Sequence, residues 1–250
     1  MKSLIMASGF GKRLYPLTVN KPKALIEYKG KPIISYIVDK IPETIEILVN
    51  TNKKFEPDFH RWQETVDRKI TLFVEPVYTE AQSFGAVGSL AYRVKDITDD
   101  LLVIASDNYF EFDLITFISA YDSKHTLVAV CDLQDRSRAC QFGVVQLEGE
   151  KIVAFNEKPR KPKSSYIATA CYIFPPRVFP LISEFASENS AANLGNLIAY
   201  LVLKDEVRAY LFTELWVDVG TPDSLSRLIS VGAIDLADFG FSSSNESPML

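Results

Sequence analysis

The segment Met6–Tyr36 reads MASGFGKRLYPLTVNKPKALIEYKGKPIISY. Its glycines, Gly9 and Gly11, follow directly on an apolar run. A glycine loop in that place lets backbone N–H groups close on phosphate oxygens, because no Cβ stands in the way. The spacing is that of neither the Rossmann fingerprint nor the P-loop. A Gly-x-Gly pair alone reads equally as a turn. Joined to Lys12-Arg13 and Lys21-Pro22-Lys23, it offers amides and several cations, the groups a triphosphate requires. Residues 1–40 hold eight basic side chains against Glu27 and Asp39, a local balance of +6 in a chain whose net charge is -5. A basic end on an acidic protein reads either as the seat of a confined anionic ligand or as a solvated basic face. The acidic whole predicts no nucleic-acid partner and no attraction to an anionic membrane.

The elements that must carry these residues alternate short apolar runs with helical spacings. Strands are expected at Ser3–Met6, Ile45–Asn50, Ile70–Glu75, Leu101–Ala105 and Thr126–Val130. Helices are expected at 32–41, 57–66, 83–95 and 113–122. Near-continuous apolar strands separated by helices predict an α/β domain, a mostly parallel sheet covered on both faces. Beyond residue 140 the pattern becomes antiparallel. A hairpin is expected from 142–147 and 151–155, then a strand at 166–174 and helices near 193–204 and 222–231. We expect one domain over 1–240, dividing near 130, and a polar tail over 241–250. The 250 residues are 47% hydrophobic and 24% charged, an ordinary globular mixture. No apolar stretch is long enough to cross a bilayer, and Lys12 and Arg13 interrupt any signal-peptide core, so a soluble cytoplasmic protein is expected. Three cysteines and two histidines without ligand spacing predict neither a disulfide framework nor a zinc site.

Gly9, Gly11, Arg13, Leu14, Pro16, Leu17, Thr18, Pro22 and Lys23 stand in register with G-x-G-x-R-L-x-P-L-T-x-x-x-P-K. On these residues the chain resembles the sugar-1-phosphate nucleotidyltransferases, the glucose-1-phosphate thymidylyltransferase-like members of the NTP-transferase superfamily. The resemblance extends, with gaps, to about residue 230. It implies a Rossmann-like mixed sheet with a nucleotide-binding half over about 1–130 and a small antiparallel sugar-phosphate-binding half over about 131–235. It also implies an NTP and a sugar 1-phosphate as partners, Mg²⁺ as cofactor and assembly as a homo-oligomer.

Carried over residue by residue, the resemblance puts the nucleotide on Ala7, Ser8, Gly9, Phe10, Gly11, Lys12, Arg13 and Gly85, with Lys23 at the reacting phosphate. Asp107, in Ala-Ser-Asp-Asn-Tyr, and Asp218, in Trp-Val-Asp-Val-Gly-Thr, are the implied Mg²⁺ ligands. Taken singly, each reads as a cap or turn residue. Asn108, Gly143, Glu157, Lys158, Thr169 and Ala170 are the implied sugar-phosphate contacts. Pro159 biases Lys158 towards an extended conformation and ends the strand there, which relaxes the strict alternation of Glu157 and Lys158.

Two features depart from the pattern. Ala170 stands where the family has glycine, and Glu75 stands at the base-reading position, often glutamine. An ionised carboxylate only accepts hydrogen bonds, which suits guanine's donors or the imide N–H of uracil or thymine. Asp107-Asn108-Tyr109 looks like the thymidylyl branch, and Gln82 is a second candidate for the base. The reading favours dTTP or UTP over GTP. Two alternatives stay open, a catalytically silent scaffold of this fold and a nucleotide-sugar glycosyltransferase. No hexapeptide repeat is present, so no attached acyltransferase is expected.

Overall fold

In the computed structural model, which describes residues 1–232, the chain forms thirteen strands and eight α-helices. The strands are β1 (Lys2–Met6), β2 (Glu27–Tyr28), β3 (Lys31–Pro32), β4 (Glu46–Asn52), β5 (Ile70–Glu75), β6 (Leu101–Ala105) and β7 (Asn108–Phe110). They continue with β8 (Thr126–Asp132), β9 (Gly143–Glu148), β10 (Lys151–Glu157), β11 (Tyr166–Phe174), β12 (Val207–Phe212) and β13 (Trp216–Asp218). The helices are α1 (Ile33–Lys40), α2 (Glu56–Gln63), α3 (Gly85–Val94), α4 (Leu114–Ser119), α5 (Arg136–Ala139), α6 (Phe179–Asn189), α7 (Leu194–Lys204) and α8 (Pro222–Gly232). Nine strands make one mixed sheet in the order β5-β4-β1-β6-β11-β8-β12-β10-β9. The expected mostly parallel α/β sheet with an antiparallel second half is what the chain forms.

Alternation within the strands explains the layering. Ile5, Ile47, Leu102 and Ile104 face one side, where Ile37 of α1, Phe59 and Trp62 of α2, and Phe117 of α4 cover them. Leu4, Leu48, Leu101 and Val103 face the other, against Leu90 of α3, Ile182 of α6 and Leu197 of α7. Because both faces are buried, these strands read as unbroken apolar runs. Truncating a fully buried residue such as Ile5 to Ala should cost about 2–5 kcal/mol.

Topology places the site. β1 pairs in parallel with β4 on one side and β6 on the other. The chain leaves β1 for β4 and β5, then returns to β6, so the strand order reverses between β1 and β6. The loops after these two strands diverge and leave a crevice at their carboxyl ends, the usual ligand position in open α/β sheets. The Gly9–Arg13 loop follows β1, and Asp107 follows β6. In the second half, β9 pairs with β10 and also with β11. The pairings β11-β8-β12-β10-β9-β11 therefore form a closed ring, which holds β10's end close to β11's middle.

Seven elements were absent from the reading of the sequence: β2, β3, β7, β12, β13, α5 and α6. Helix α6 begins at Phe179 with a proline in its first turn, where a missing N–H costs nothing. Strand β12 pairs in parallel with β8 from Val207 to Phe212. Lys158 is a correction: its φ is 45°, the left-handed region rather than extended backbone. Its N–H donates to the carbonyl of Phe142 at 3.0 Å, and β10 ends one residue earlier, at Glu157. The tail expected over 241–250 lies outside the described residues. Among the described residues no helix is long and apolar enough to cross a membrane.

Candidate active site

The crevice is a cleft of two lobes. One, of 200 Å³, opens on Ala7, Ser8 and Gly9 of the loop after β1, with Gly85 at the start of α3. The other, of 340 Å³, opens on Gly143, Glu157, Lys158, Thr169 and Ala170. Lys23 and Asp107 line both lobes. Two roomier grooves elsewhere, of 610 and 630 Å³, contain only Lys95 and no charged side chain, respectively.

Local packing turns one of the loop's two cations, Arg13, towards the cleft. The residues Lys12–Leu14 form a 3₁₀ turn with Leu14 buried beside Val219, which leaves Lys12 and Arg13 exposed, Arg13 on the larger lobe. Gly11, at φ 65°, starts this turn, and the buried Thr18 hydroxyl donates to its carbonyl at 2.7 Å. A Cβ on Gly9 would meet nothing within 4 Å, so its backbone is open to a ligand. Ser8 and Phe10 are buried anchors: Asn52 Nδ2 donates to the Ser8 carbonyl at 2.8 Å, and Phe10 packs on Phe55 at 6.1 Å. Lys12 is paired with Glu80. A second 3₁₀ turn, Lys23–Leu25, buries Ala24 and Leu25 and projects Lys23 into the cleft.

Asp107 and Asp218, 111 positions apart in the chain, are joined by a two-stranded ladder. β13 pairs antiparallel with β7, Asp218 opposite Asn108, and the Val219 N–H donates to the Asp107 carbonyl at 2.8 Å. Asn108, 2% exposed, braces this ladder: its Oδ1 accepts from Trp216 Nε1 at 2.7 Å, and its Nδ2 donates to the Ala105 carbonyl at 3.1 Å. Its side-chain amide is thus committed to the protein. Lys23 Nζ pairs with Asp107 Oδ2. Burial pushes the Asp107 carboxyl up, but the Lys23 ammonium outweighs it and holds the group below its ordinary value. Burial, then repulsion from Asp107, pushes Asp218 up to about 7.

The donor set fits Mg²⁺. Two adjacent carboxylates face the cleft, Asp107 on both lobes and Asp218 on the larger, and among the described residues Asp218 Oδ1 is buried with no hydrogen-bond partner. A hard cation with one or two carboxylates, and phosphate or water oxygens completing its shell, would satisfy that atom.

In the larger lobe, Glu157 lies opposite Gly143, and Gly143 also pairs with Ala168. A Cβ on Gly143 would overlap the Phe155 ring. β11 slips register against β8 between Ala168 and Tyr172, so Thr169, Ala170 and Cys171 together span Ala129. The Thr169 hydroxyl donates to the Ala129 carbonyl at 2.9 Å, taking up the bond the slip leaves open. Ala170 stands at φ 54°, left-handed backbone that a glycine adopts freely.

Glu75 and Gly85 take structural positions. Glu75 is 1% exposed; its Oε1 accepts from Asn50 Nδ2 at 2.5 Å and from the Ser89 hydroxyl. Gly85, at φ 72°, meets the α6–α7 connection, where a Cβ would lie 2.5 Å from the Ser190 carbonyl oxygen. Gln82 caps its own 3₁₀ turn, its Oε1 accepting from the N–H groups of Tyr78 and Thr79. The residues that sequence reasoning missed are Asn193 and Gly195. Both line the larger lobe, and Asn193 Nδ2 donates to Glu157 Oε1 at 2.9 Å. The signal available was Asn193 as an N-cap ahead of an apolar helical run.

A mostly parallel α/β sheet, with an acid- and cation-lined cleft at the reversal of its strand order, is the class of protein this geometry defines. The sequence profile described as "Nucleotidyl transferase" matches residues 2–231, and the chain belongs to that family. It is similar to the bifunctional protein GlmU of Methanocaldococcus jannaschii, 31% identical over 228 residues, covering 89% of this chain and 52% of that protein. It is also similar to a glucose-1-phosphate adenylyltransferase of Vibrio vulnificus, 24% identical over 257 residues, covering 88% of this chain and 64% of the other. The chain thus spans about half the length of the GlmU proteins it matches. A solved structure from Bacillus anthracis, assigned as a glucose-1-phosphate thymidylyltransferase, superposes with a TM-score of 0.82 at 26% identity. That match covers 94% of this chain and 96% of the other.

Proposed function

We propose that the protein transfers a nucleotidyl group from an NTP to a sugar 1-phosphate, a hexose 1-phosphate such as glucose 1-phosphate, giving an NDP-sugar and pyrophosphate. The observation that carries this reading is the cleft's shape and charge. Lys23 and Asp107 stand where a lobe on Ala7, Ser8 and Gly9 meets a lobe on Arg13, Glu157 and Lys158.

In this reading the NTP lies along Ala7–Arg13, with Arg13 and the Gly9–Lys12 amides on its β- and γ-phosphates. Lys12 leaves Glu80 to take part. The sugar phosphate lies on Lys158, and Glu157 accepts from sugar hydroxyls. A phosphate oxygen attacks the α-phosphorus in line; the new P–O bond forms as the bond to the bridging oxygen of pyrophosphate breaks. The nucleophile is already ionised at neutral pH, so no general base is required. What the protein supplies is position and charge, with Lys23 beside the reacting phosphate. Asp107 and Asp218 would hold Mg²⁺, which when bound neutralises charge on the phosphates.

The nucleotide is a pyrimidine one, dTTP or UTP, ahead of GTP, a preference that rests on the Asp107-Asn108-Tyr109 segment. Self-association and cytoplasmic residence belong to the same reading and are carried by the family resemblance. Pyrophosphate release measured over a panel of NTPs and hexose 1-phosphates tests it.

A further inference from the structure

Asn193 uses both ends of its amide. As the N-cap of α7 its Oδ1 accepts from the Asn196 N–H at 2.9 Å, while its Nδ2 donates to Glu157 Oε1, also at 2.9 Å. The other oxygen of Glu157, Oε2, lies between two glycines. A Cβ on Gly195 would overlap the carboxylate, and one on Gly143 would come within 3.1 Å of Oε2. Oε2 accepts no hydrogen bond from the described residues, yet it is not sealed from solvent. The carboxylate is therefore fixed at one oxygen and open at the other, inside the lobe that Lys158 also lines.

We propose that Asn193 is a positioning residue that fixes Glu157 so that Oε2 is presented to a hydroxyl of the sugar 1-phosphate, with Gly195 leaving the space this requires. The proposal rests on the transferase reading above. Capping alone does not explain the residue, since Asp, Ser and Thr cap helices comparably. Asp has no donor, and the single oxygen of Ser or Thr would have to cap the helix and donate to the carboxylate from one point, whereas the amide divides the two roles between Oδ1 and Nδ2. The donor also matters to the charge of Glu157. Burial pushes that carboxyl up, while Lys158, with Nζ 3.8 Å from Oε1, and the Asn193 amide draw it back. The other titratable group facing it is Tyr172 of β11, buried below; Arg13, Lys23, Asp107 and Asp218 line the same lobe.

The test uses Asn193→Asp and Gly195→Ala in the full chain. Asn193→Asp keeps a capping acceptor, removes the donor and sets a second carboxylate against Glu157. Gly195→Ala favours the helix and displaces the carboxylate. Both should raise KM for the sugar 1-phosphate about tenfold, leave KM for the NTP within about twofold, and keep Tm within about 2 °C of the parent. In Asn193→Asp, ¹³C NMR should find the Glu157 carboxyl titrating about one pH unit higher, with the resonance assigned through Glu157→Gln. An unmoved Glu157 titration overturns the proposal, as does a rise of both KM values together with a fall in Tm. Should the parent turn over no substrate pair, the transferase reading falls, and the NMR titration still decides whether Asn193 sets Glu157.

Discussion

Lys23 and Asp107, 84 positions apart in the chain, form an ion pair at the point where the two lobes of the cleft meet. Both side chains are mostly buried, 18% and 16% exposed. A buried pair of this kind is weak evidence for stability, because desolvation offsets much of the attraction. Its position gives it another meaning. In the proposed reading, a bound nucleotide would give Lys23 a phosphate to turn to and release Asp107 for a cation.

Asp107→Asn should therefore act on turnover more than on binding. It keeps the side chain's size and removes the charge, and kcat should fall about 100-fold or more while KM for the NTP changes much less. Steady-state kinetics at limiting Mg²⁺ check this; near-parental turnover there would refute the metal assignment.

Lys158→Ala should weaken the sugar phosphate instead. Loss of one cation from a phosphate contact should raise its KM about tenfold or more, with KM for the NTP nearly constant. Initial rates with each substrate varied in turn would show the split, and equal rises would place Lys158 elsewhere.

Metal binding should release protons. Asp218 is raised from 3.8 to about 7 in the folded chain without metal. The folded state therefore holds a proton on it, between pH about 4 and 7, that the unfolded state has lost. By linkage this group makes stability fall as pH rises through that window. Adding Mg²⁺ displaces the proton, so Mg²⁺ should raise Tm more at pH 8 than at pH 6 and should acidify an unbuffered sample at pH 7. A Tm gain from Mg²⁺ that is the same at both pH values would contradict the assigned pair.

Ala170→Gly should stabilise the protein slightly. An L-residue in left-handed backbone costs about 1–2 kcal/mol relative to glycine, and the greater freedom of glycine in the unfolded chain takes back about 0.5–1 kcal/mol. The net gain should raise Tm by about 2 °C. A fall in Tm on calorimetry would mean that the methyl group's packing against its core cluster outweighs the strain.

The strands that lead into the cleft were legible because residues such as Leu4 and Ile5 of β1 and Leu101–Ile104 of β6 are buried on both sheet faces and leave unbroken apolar runs. The glycine–cation loop after β1 was legible because the phosphate chemistry proposed for it calls for glycines and cations close together in sequence. Helix α6 was hidden by Pro175, Pro176 and Pro180, which read as breakers and instead stand at or before its first turn. The pairing of β7 with β13 was beyond local reasoning. Three-residue strands carry no periodicity, and only the fold sets Asp218 opposite Asn108. The left-handed Lys158 and Ala170 were likewise invisible, since their backbones are set by a tertiary hydrogen bond from Lys158 N–H to Phe142 and by the slipped register of β11. Asn193 shows as a helix cap in the sequence, but its second bond, to Glu157, exists only in three dimensions.

The most direct test of the account is pyrophosphate release in the presence of Mg²⁺, with dTTP, UTP, GTP, CTP and ATP each offered against several hexose 1-phosphates. The account predicts release that requires both one NTP and one sugar 1-phosphate, with dTTP or UTP the nucleotide, and that disappears when either substrate or Mg²⁺ is withheld. Folded protein that binds an NTP yet releases no pyrophosphate with any pair would contradict it, and would leave this cleft to a member of the family that does no chemistry.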